Sequence, residues 1–488
     1  MINQRVAGVL LHPTSLPSNL VCGSLGKSAI QFLDWMKESK LSSWQTLPLH
    51  PPDGGLSPYS SPSALAGNVF LIDVDLLVQN EWLTSEEIIH PPQSKRLNAT
   101  HLHEWLTPRL ELAGRRFAKT HPDRIQHFIQ QEDWVQDWAL FSCLCSELKV
   151  YCWQDFPHSL KQRNSTAIKE ALKRLDQEIQ TAIALQIFFF DQWNVVRQAA
   201  ADRGISIVGD LPIFVSAGGV DTWTHPHLFK LDSDGHPNPV AGVPPDVFSE
   251  MGQHWGNPHY DWDAHQKEGF AWWIRRLEME LRFGDSVRID HFRGFCAAWA
   301  IPRTDGSDAR KGTWSPAKGA LLFEALRKHF GEQLPFFAED LGIITPDVDE
   351  LRVSFGLMGM KILQFAFGKD NHIYQPHTYD SIEWVCYTGT HDNDTINGWA
   401  KNVDRSEVVR FLNYTQTNGS ENHWAMISLA FSSKARWAIT PMQDFLGLDS
   451  TGRMNLPGVG EGQWGWRLDE LPWDLTDRIR QTVVHFDR

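Results

Sequence analysis

A recurring unit constrains the fold of this 488-residue chain more than any other feature. In each repeat an amphipathic helical pattern ends at a glycine, and a short apolar run with a polar or acidic end follows. The helical pattern of residues 192–203 stops at Gly204 before the run 205–210, and Gly284 precedes the run to Asp290 in the same way. A glycine that ends a helix and is followed at once by a buried strand is typical of βα units, which build parallel sheets.

Eight candidate strands follow from this pattern and from similar apolar runs. They are residues 7–11, 44–49, 205–210, 286–290, 336–340, 360–365, 384–390 and 437–440. Eight βα units predict an α/β fold of the closed (β/α)8 type, a TIM barrel, with its active site at the carboxyl ends of the strands. A doubly wound open sheet is the alternative, but no glycine-rich dinucleotide or phosphate loop follows any strand.

The units are unevenly spaced, which predicts one catalytic barrel over residues 1–488 with large, mostly helical insertions. The first insertion is expected at about residues 60–190, where helical patterns occur around 102–117 and 134–148. The second is expected at about 215–269, a segment of rim loops rich in Pro, Gly, His and Trp. Both are predicted to lie on the catalytic rim, because loops at that end of such barrels carry specificity.

The net charge of −14 and the globular composition exclude several classes of function. Nucleic-acid binding usually needs a basic face, which argues against that partner. The most apolar tract, residues 182–190, is interrupted by Gln186 and is too short for a bilayer, and no secretory signal follows Met1. Six cysteines without zinc-ligand spacing indicate small core thiols in a reducing compartment. We therefore expect a cytoplasmic protein that binds neither nucleic acid nor membrane.

Tryptophan is abundant, with 22 residues. Such residues are expected either in a large core or as platforms for sugar rings, whose C–H faces pack on aromatic rings. For Trp464 and Trp466 the sequence favours packing against the last barrel turn.

Three apolar runs lead into carboxylic residues, namely Asp290, Glu339 and Asp392. Ionisable residues at the ends of buried strands contribute little to packing, and the carboxyl ends of barrel strands meet at one place. Several carboxylates together stabilise positive charge, as the oxocarbenium-like transition state of glycoside chemistry requires. The order fits a retaining reaction in which Asp290 attacks the anomeric carbon, Glu339 protonates the leaving oxygen and Asp392 holds substrate hydroxyls.

Neighbouring residues agree with these roles. Arg288 lies two residues before Asp290 on the same strand face and is expected to keep that carboxylate ionised. Glu339 follows an apolar pair, where desolvation would raise its pKa enough for it to act as an acid. Two alternatives stay open. Arg288 and Asp290 could be only a structural ion pair at the barrel rim, and Glu339 and Asp340 could be a solvated loop start that caps the next helix, which for Asp340 is the favoured interpretation.

Several segments resemble the signature segments of the 4-α-glucanotransferase family, whose members are also called amylomaltases or disproportionating enzymes, a branch of the α-amylase clan. The strongest matches are RIDHFRG at 288–294, AEDLG at 338–342 and GTHDNDT at 389–395. Further matching segments are 57–59, 66–68, 209–213, 243–246, 252–258, 453–455 and 464–467. So many segments in family order, over essentially the whole chain, make the resemblance specific.

The resemblance implies a transferase that needs no cofactor and no metal and acts on maltodextrins, maltose, glucose and other α-1,4-glucans. It implies Asp290 as nucleophile, Glu339 as acid and base, and Asp392 as stabiliser of the transition state. Two other functions stay open at this point. An α-1,4-glucan hydrolase would use the same scaffold with water as acceptor, and a glucan-binding protein would have lost its catalysis.

The resemblance also implies seven substrate-binding residues, which are Tyr59, Asp210, Gln253, Trp255, Arg288, His291 and His391. Tyr59 would offer an exposed ring on which a sugar stacks, and Asp210 would support the floor of the site, unless it is only a hydrogen-bonding group behind it. Gln253 and Trp255, expected on a loop after the third strand, would cover the substrate and help the acceptor to dock.

Metal binding is the remaining alternative for two clusters of residues. Residues 391–394 carry oxygen ligands at a spacing like that of a calcium loop, but they lack the glycine and the closing glutamate of an EF-hand. Four histidines lie near one another in sequence, which are His225, His227, His254 and His259. Spacing alone does not make them a zinc site, and contact with solvent or sugar is the favoured interpretation.

Overall fold

Twelve strands make up the sheets of the described residues, which in this computed structural model are 5–245, 250–303, 308–369, 372–460 and 462–488. They are β1 (Val6–Leu10), β2 (Ser43–Gln45), β3 (Ser206–Pro212), β4 (Val240–Val243), β5 (Gln253–Pro258), β6 (Ser286–Asp290), β7 (Ala297–Ile301), β8 (Thr313–Pro316), β9 (Phe336–Ala338), β10 (Gly359–Ile362), β11 (Trp384–Tyr387) and β12 (Trp437–Pro441). Asp246, the last residue of one matched segment, lies outside the described residues.

Eight strands form one parallel sheet in the order β10-β11-β12-β1-β2-β3-β6-β9. A parallel bridge between Phe337 of β9 and Met358, next to β10, joins the two ends of this sheet. There the backbone N–H of Ala338 donates to the carbonyl of Met358 at 2.9 Å. The predicted (β/α)8 barrel is therefore confirmed, and each of the eight predicted strands corresponds to one strand of the barrel.

Helices alternate with the barrel strands, as the pattern of helix, glycine and strand predicts. Those between or after barrel strands are Lys27–Glu38, Asp176–Asp202, Ala271–Phe283, Gly319–Phe330, Pro346–Ser354, Ile396–Asn402, Arg405–Thr415, Asn422–Ser432, Met442–Phe445 and Thr476–His485. Gly284 and Gly331 stand directly after two of them, and each donates its N–H to a carbonyl of the helix's last turn at 2.9 Å. These glycines end the helices at the predicted places.

Aromatic packing between helices and strands forms much of the core. Trp44 of β2 is fully buried, and its ring lies edge-on to Phe32 at 5.0 Å and to Trp193 at 6.5 Å between centroids. Replacing such a buried indole by Ala costs about 3–5 kcal/mol. β1 and β2 approach closely at Gly8, where a Cβ atom would lie 2.8 Å from the carbonyl oxygen of Ser43. Many of the 22 Trp residues thus belong to the core.

The segment between β2 and β3 is largely helical. It contains Val74–Gln79, Ala99–His101, a π-helical turn at Leu102–Leu106, Thr107–Thr120, Pro122–Gln131, Val135–Leu148, His158–Lys161 and Ser165–Arg174. The 27-residue helix Asp176–Asp202 joins this segment to the barrel, since its Phe188 packs edge-on to Phe117 at 5.1 Å while its Trp193 contacts Trp44. The predicted limit of the insertion at residue 190 falls inside this continuous helix, so the extent 60–190 stays a prediction.

The segment between β3 and β6 contributes β4 and β5, with the helices Val220–Thr224 and Trp262–Lys267. β4 and β5 join β7 and β8 in an antiparallel sheet of order β5-β4-β7-β8. Gln253 and Trp255 therefore lie on a strand, and the loop expected for them is wrong. The sequence conceals this strand because its sheet includes partners from beyond Asp290, and because Gly256 and Pro258 interrupt its alternation.

Among the described residues, no helix has both the length and the apolar character needed to cross a bilayer. All six cysteines are free thiols. Cys22 and Cys386 are buried, as expected of small core residues, whereas the other four are only half-buried.

Candidate active site

One guanidinium joins two carboxylates at the carboxyl end of the barrel. Arg288 of β6 donates from Nη1 to both oxygens of Asp210 at 2.8 and 2.9 Å, and from Nη2 to Oδ1 of Asp290 at 2.8 Å. Asp210 is paired in register with Arg288 across β3 and β6, which sets this contact. The side chain of Asp210 has no exposed surface, whereas that of Asp290 is 29% exposed. Asp290 is therefore the carboxylate of this pair that a substrate can reach.

Tyr59, from the segment between β2 and β3, covers Asp210. Its hydroxyl donates to Oδ2 of Asp210 at 2.7 Å, and its ring stacks on His391 at 4.9 Å with 17° between the planes. The ring of Trp464 follows at 5.6 Å. Tyr59 is therefore half-buried, and the exposed ring expected from the sequence is wrong. Burial raises the pKa of Asp210 to about 7, although Arg288 opposes that shift.

Glu339 follows directly after β9 and accepts two backbone hydrogen bonds. The N–H of His291 donates to Oε2 at 2.7 Å, and the N–H of Leu341 donates to Oε1 at 2.9 Å. Burial raises the pKa of Glu339 to about 8, and the negative charge of Asp290 adds to this shift, while Arg288 opposes it. Burial beside Asp290 therefore favours the protonated form of Glu339.

His291 is held in an unusual backbone conformation between the two carboxyl groups. Its φ of 52° lies in the left-handed region, which costs a residue with a side chain about 1 kcal/mol, and this conformation directs its N–H to Glu339. Burial lowers the pKa of its ring to about 4, so the ring is neutral. Within the described residues, its buried Nε2 has no hydrogen-bond partner.

Trp255 packs edge-on to the ring of His291 at 4.9 Å, with 87° between the planes. Its Nε1 donates to Oε1 of Gln253 at 3.1 Å, which orients both side chains on β5. Trp255 is 36% exposed, so an apolar surface remains available beside Glu339.

Asp392 lies on a loop five residues after β11, which ends at Tyr387, and not at the strand end expected from the sequence. Its Oδ1 accepts a hydrogen bond from Nδ2 of Asn455 at 2.6 Å, and its Oδ2 lies 3.4 Å from Nε2 of His391. Its backbone carbonyl accepts from Nη2 of Arg453 at 2.5 Å. The side chain is 43% exposed, so two residues far along the chain hold a third carboxylate open to solvent.

These side chains surround one open cleft of about 210 Å³. Seven of the ten predicted residues line it, which are Gln253, Trp255, Arg288, Asp290, His291, Glu339 and Asp392. The other three predicted residues lie behind the cleft. Tyr59 hydrogen-bonds to Asp210, Asp210 pairs with Arg288, and His391 lies beside Asp392. The cleft thus combines an ion-paired carboxylate, a carboxyl group whose pKa is raised by burial, and a third carboxylate. This set can displace a group at a carbon while it protonates the departing oxygen.

Asp340 differs from its prediction as a solvated loop start. Its Oδ2 lies 3.1 Å from Nε of Arg352, and its Oδ1 accepts a hydrogen bond from the N–H of Met360 at 2.7 Å. The side chain is only 5% exposed, because it packs over Gly359, where a Cβ atom would lie 2.4 Å from Oδ2. The solvated interpretation is wrong, and Asp340 joins the end of β9 to β10.

Neither candidate metal cluster forms in the parts of the chain that the structure describes, where no three His, Cys, Asp or Glu side chains are grouped to hold an ion. His259 is buried and its Nε2 contacts the carbonyl of Trp299 at 3.2 Å. His227 is instead paired with Glu268 at 2.8 Å. The two histidines have separate partners and do not converge.

Sequence reasoning assigned no role in the site to several residues that contact the predicted ones, among them Asn455 and Trp464. Asn455 lies in a segment that resembles the family, which was the available signal, but nothing in the sequence connects it to Asp392. Trp464 was expected to pack against the barrel, yet its ring lies 5.8 Å from that of His391 and 5.6 Å from that of Tyr59. Trp466, for which the same packing was expected, is 8% exposed.

The barrel and the paired carboxyl groups in its cleft define the class of enzymes that act on glycosidic bonds. Residues 11–472 match the family described as 4-alpha-glucanotransferase. The 4-alpha-glucanotransferase of Thermus thermophilus is 43% identical over 486 residues, which cover 97% of this chain and 96% of that protein. The chloroplastic/amyloplastic 4-alpha-glucanotransferase of Arabidopsis thaliana is 39% identical, over 100% of this chain and 86% of that protein.

A solved structure agrees with the sequence relatives. The amylomaltase from Streptococcus agalactiae in complex with acarbose superposes with a TM-score of 0.94 at 37% identity, and 99% of this chain and 98% of that chain are covered. The chain therefore belongs to the 4-α-glucanotransferase family, and it is a glycosyltransferase-type enzyme that acts on glucans.

Proposed function

We propose that this protein transfers a segment of an α-1,4-glucan from a donor maltodextrin to the 4-hydroxyl of an acceptor glucose or maltodextrin, with retention of configuration. The observation that carries this proposal is the unlike environment of two carboxyl groups in one cleft. Asp290 is ion-paired with Arg288, whereas burial raises the pKa of Glu339 to about 8. A retaining reaction needs this combination of a nucleophile and an acid.

In the first half of the reaction, an oxygen of Asp290 attacks the anomeric carbon of the donor. The bond between that carbon and the glycosidic oxygen breaks, and the proton of Glu339 passes to the departing oxygen. The product is a glycosyl ester of Asp290 and a shortened glucan with a free 4-hydroxyl. Asp392, whose side chain is open to the cleft, is available to hold sugar hydroxyls as the ring distorts.

In the second half, Glu339 is a carboxylate and acts as the base. It takes the proton of an acceptor 4-hydroxyl, whose oxygen attacks the same anomeric carbon, and the ester bond to Asp290 breaks. The α-1,4 bond forms again, and both carboxyl groups return to their starting states. No step of this cycle requires a metal or an organic cofactor.

Transfer outcompetes hydrolysis when the acceptor is held in place and water is kept away from the ester. We assign part of this role to Gln253 and Trp255, which stand on the cleft wall beside His291 and Glu339. Asp210 and Tyr59 support the floor through Arg288 and His391. A cytoplasmic location, where maltodextrins would be the donors, belongs to the same proposal.

Incubation of the purified protein with maltotriose tests the proposed function. Transfer produces glucose together with a ladder of shorter and longer maltodextrins, while the number of reducing ends stays nearly constant. A steady rise in reducing ends would instead identify an α-glucan hydrolase. If maltotriose binds but stays unchanged, the protein is a glucan-binding protein and the proposed chemistry is wrong.

A further inference from the structure

Trp314 is a second indole on the wall of the cleft, and nothing in the proposed reaction uses it so far. It lies on β8, at the edge of the four-stranded antiparallel sheet, and it is 36% exposed. It lines the same cleft as Asp290 and Glu339. Exposing so much indole to water is unfavourable, so a ring in this position is suited to cover an apolar surface of a ligand.

Two neighbours fix the orientation of this indole. The guanidinium of Arg293 lies over one face, 3.8 Å from the ring centroid. Trp299, the cross-strand partner of Trp314 on β7, packs at 5.1 Å with 67° between the planes. Trp314 and Arg293 both line the cleft, so the indole held by Arg293 and Trp299 presents a fixed apolar surface to it. The ring is therefore a fixed flat platform and not a mobile surface side chain.

Arg293 also determines which side of the cleft the platform occupies. Its Nη1 donates to the carbonyl of Ile343 and to Oγ1 of Thr345, both at 2.9 Å, and these residues follow Glu339 on the same loop. His291, two residues before Arg293, donates its N–H to Glu339. Trp314 is thus tied to the Glu339 wall.

Asp392 lines the same cleft from a different loop. It is held by Asn455 and lies beside His391, which stacks on Tyr59 behind the cleft. In a retaining reaction the acid stands at the departing oxygen, so the sugars bonded to that oxygen extend along the wall of the acid. The ring that reacts at its anomeric carbon lies toward the nucleophile and the third carboxylate.

We propose that Trp314 is the platform on which a glucose ring of the acceptor stacks, on the leaving-group side of the bond that breaks and forms. This inference rests on the proposed transfer function and adds a specificity residue to it. The indole covers the C–H face of the sugar, and Arg293 and Trp299 hold the indole in place. The same contact retains the departing glucan in the first half of the reaction.

A donor with a small leaving group separates the two sides of the cleft. With α-maltosyl fluoride as donor and maltose as the varied acceptor, the first step leaves the acceptor side empty. In Trp314→Ala we expect the KM for maltose to rise about tenfold, with a change in kcat at saturating maltose of less than about threefold. Trp314→Phe keeps a smaller ring, and we expect its KM to rise only about threefold.

Trp473→Ala is the matched control, because Trp473 is also exposed, at 50%, and does not line the cleft. We expect its KM for maltose to change less than about twofold. If Trp314→Ala and Trp473→Ala have the same KM for maltose, the platform proposal is overturned. It is also overturned if the KM for maltose rises as much in Trp314→Phe as in Trp314→Ala. Fluoride release by Trp314→Ala is also measured without maltose. If this rate falls as much as the rate of transfer does, the ring lies on the donor side, and the platform proposal is overturned.

The wild-type protein in the same experiment tests the function on which the inference rests. If it releases fluoride and maltose without forming longer products at any maltose concentration, the transfer function itself fails. If the wild type forms longer products but Trp314→Ala and Trp473→Ala have the same KM for maltose, the transfer function stands and only the proposed role of Trp314 is wrong.

Discussion

Two buried arginine clusters of the barrel have the same composition. The Arg288 cluster consists of Arg288 with Asp210 and Asp290, and the Arg352 cluster consists of Arg352 with Asp340 and Asp349. Each arginine is buried, with side-chain exposures of 4% and 7%. Each contacts one buried aspartate and one more exposed aspartate. Ion-pair geometry therefore does not distinguish an active site from a structural contact.

The difference lies in what surrounds the more exposed aspartate. Asp290 opens into a cleft that it shares with Glu339, a carboxyl group whose pKa its charge helps to raise. Asp349 stands on the surface of the helix Pro346–Ser354 and has Arg352 as its ion-pair partner. A buried ion pair contributes little net stability, but breaking one is expensive. Substitutions should thus affect chemistry in the Arg288 cluster and stability in the Arg352 cluster.

The largest expected contrast is between Asp290→Asn and Asp349→Asn. The amide at position 290 is a poor nucleophile, so we expect kcat for maltotriose disproportionation to fall by at least about 10⁴-fold. The amide at position 349 should change kcat by less than about twofold. Both variants should keep the wild-type circular dichroism spectrum, and Asp290→Asn should still bind maltodextrin in a calorimetric titration. Appreciable turnover by Asp290→Asn would refute the assignment of the nucleophile.

The next contrast concerns Glu339 and Glu350, an exposed glutamate on the helix after it. Glu339→Gln removes the proton donor and should lower kcat/KM for maltotriose by about 10²–10⁴-fold. Fluoride needs less protonation than a sugar when it leaves. The rate of the first step in Glu339→Gln should therefore fall less with α-maltosyl fluoride than with maltotriose. Glu350→Gln is the control and should match the wild type. An equal loss with both donors would contradict the role of Glu339 as acid.

The pH dependence of the wild-type enzyme follows from the same carboxyl group. Burial raises the pKa of Glu339 to about 8, so the acid is protonated below that pH and loses its proton above it. We expect kcat/KM for maltotriose to fall about tenfold for each pH unit above pH 8. Asp349→Asn should show the same descending limb. A profile that is flat to pH 10 would mean that no such group controls the reaction.

Asp340→Asn reverses the comparison, because it should affect folding and spare catalysis. The amide oxygen can still accept from Met360, but Arg352 loses the carboxylate 3.1 Å from its Nε while it stays buried. We expect the free energy of unfolding to fall by about 3 kcal/mol, as measured by denaturant titration. At a temperature where the variant is folded, kcat should stay within about threefold of the wild type. Loss of activity without loss of stability would place Asp340 in the reaction.

The sequence predicted the barrel because its signals are local. A glycine after a helix and an apolar run after the glycine lie within a few residues of each other, and so do Arg288 and Asp290 on one strand. The antiparallel sheet was not predicted, because β4 pairs with β7 about 60 residues away, as in Val240 with Ile301. Pairing at that distance leaves no periodic signal near either strand.

The candidate site divides in the same way. Asp290 and Glu339 stand at strand ends, where the barrel itself determines their direction. The direction of the Asp340 side chain, one residue further, depends on the turn after β9. The predicted solvated environment is therefore wrong, and the side chain is buried. Asn455 reaches Asp392 across 63 residues, so its contribution became visible only in the folded chain.

The smallest effect is expected at Asp392, whose side chain is held by the amide of Asn455, whereas the aspartates compared above are held by an arginine. Asn455→Ala removes the 2.6 Å hydrogen bond to Asp392, but that carboxylate is 43% exposed and water can replace the amide in part. We expect kcat/KM to fall about tenfold, equivalent to about 1.4 kcal/mol. Asn402→Ala removes a similar amide contact to Asp394, at 3.1 Å, outside the cleft, and should leave kcat/KM within about twofold. If the two variants lose equal activity, the effect is structural, and Asp392 does not depend on Asn455 for its position in the reaction.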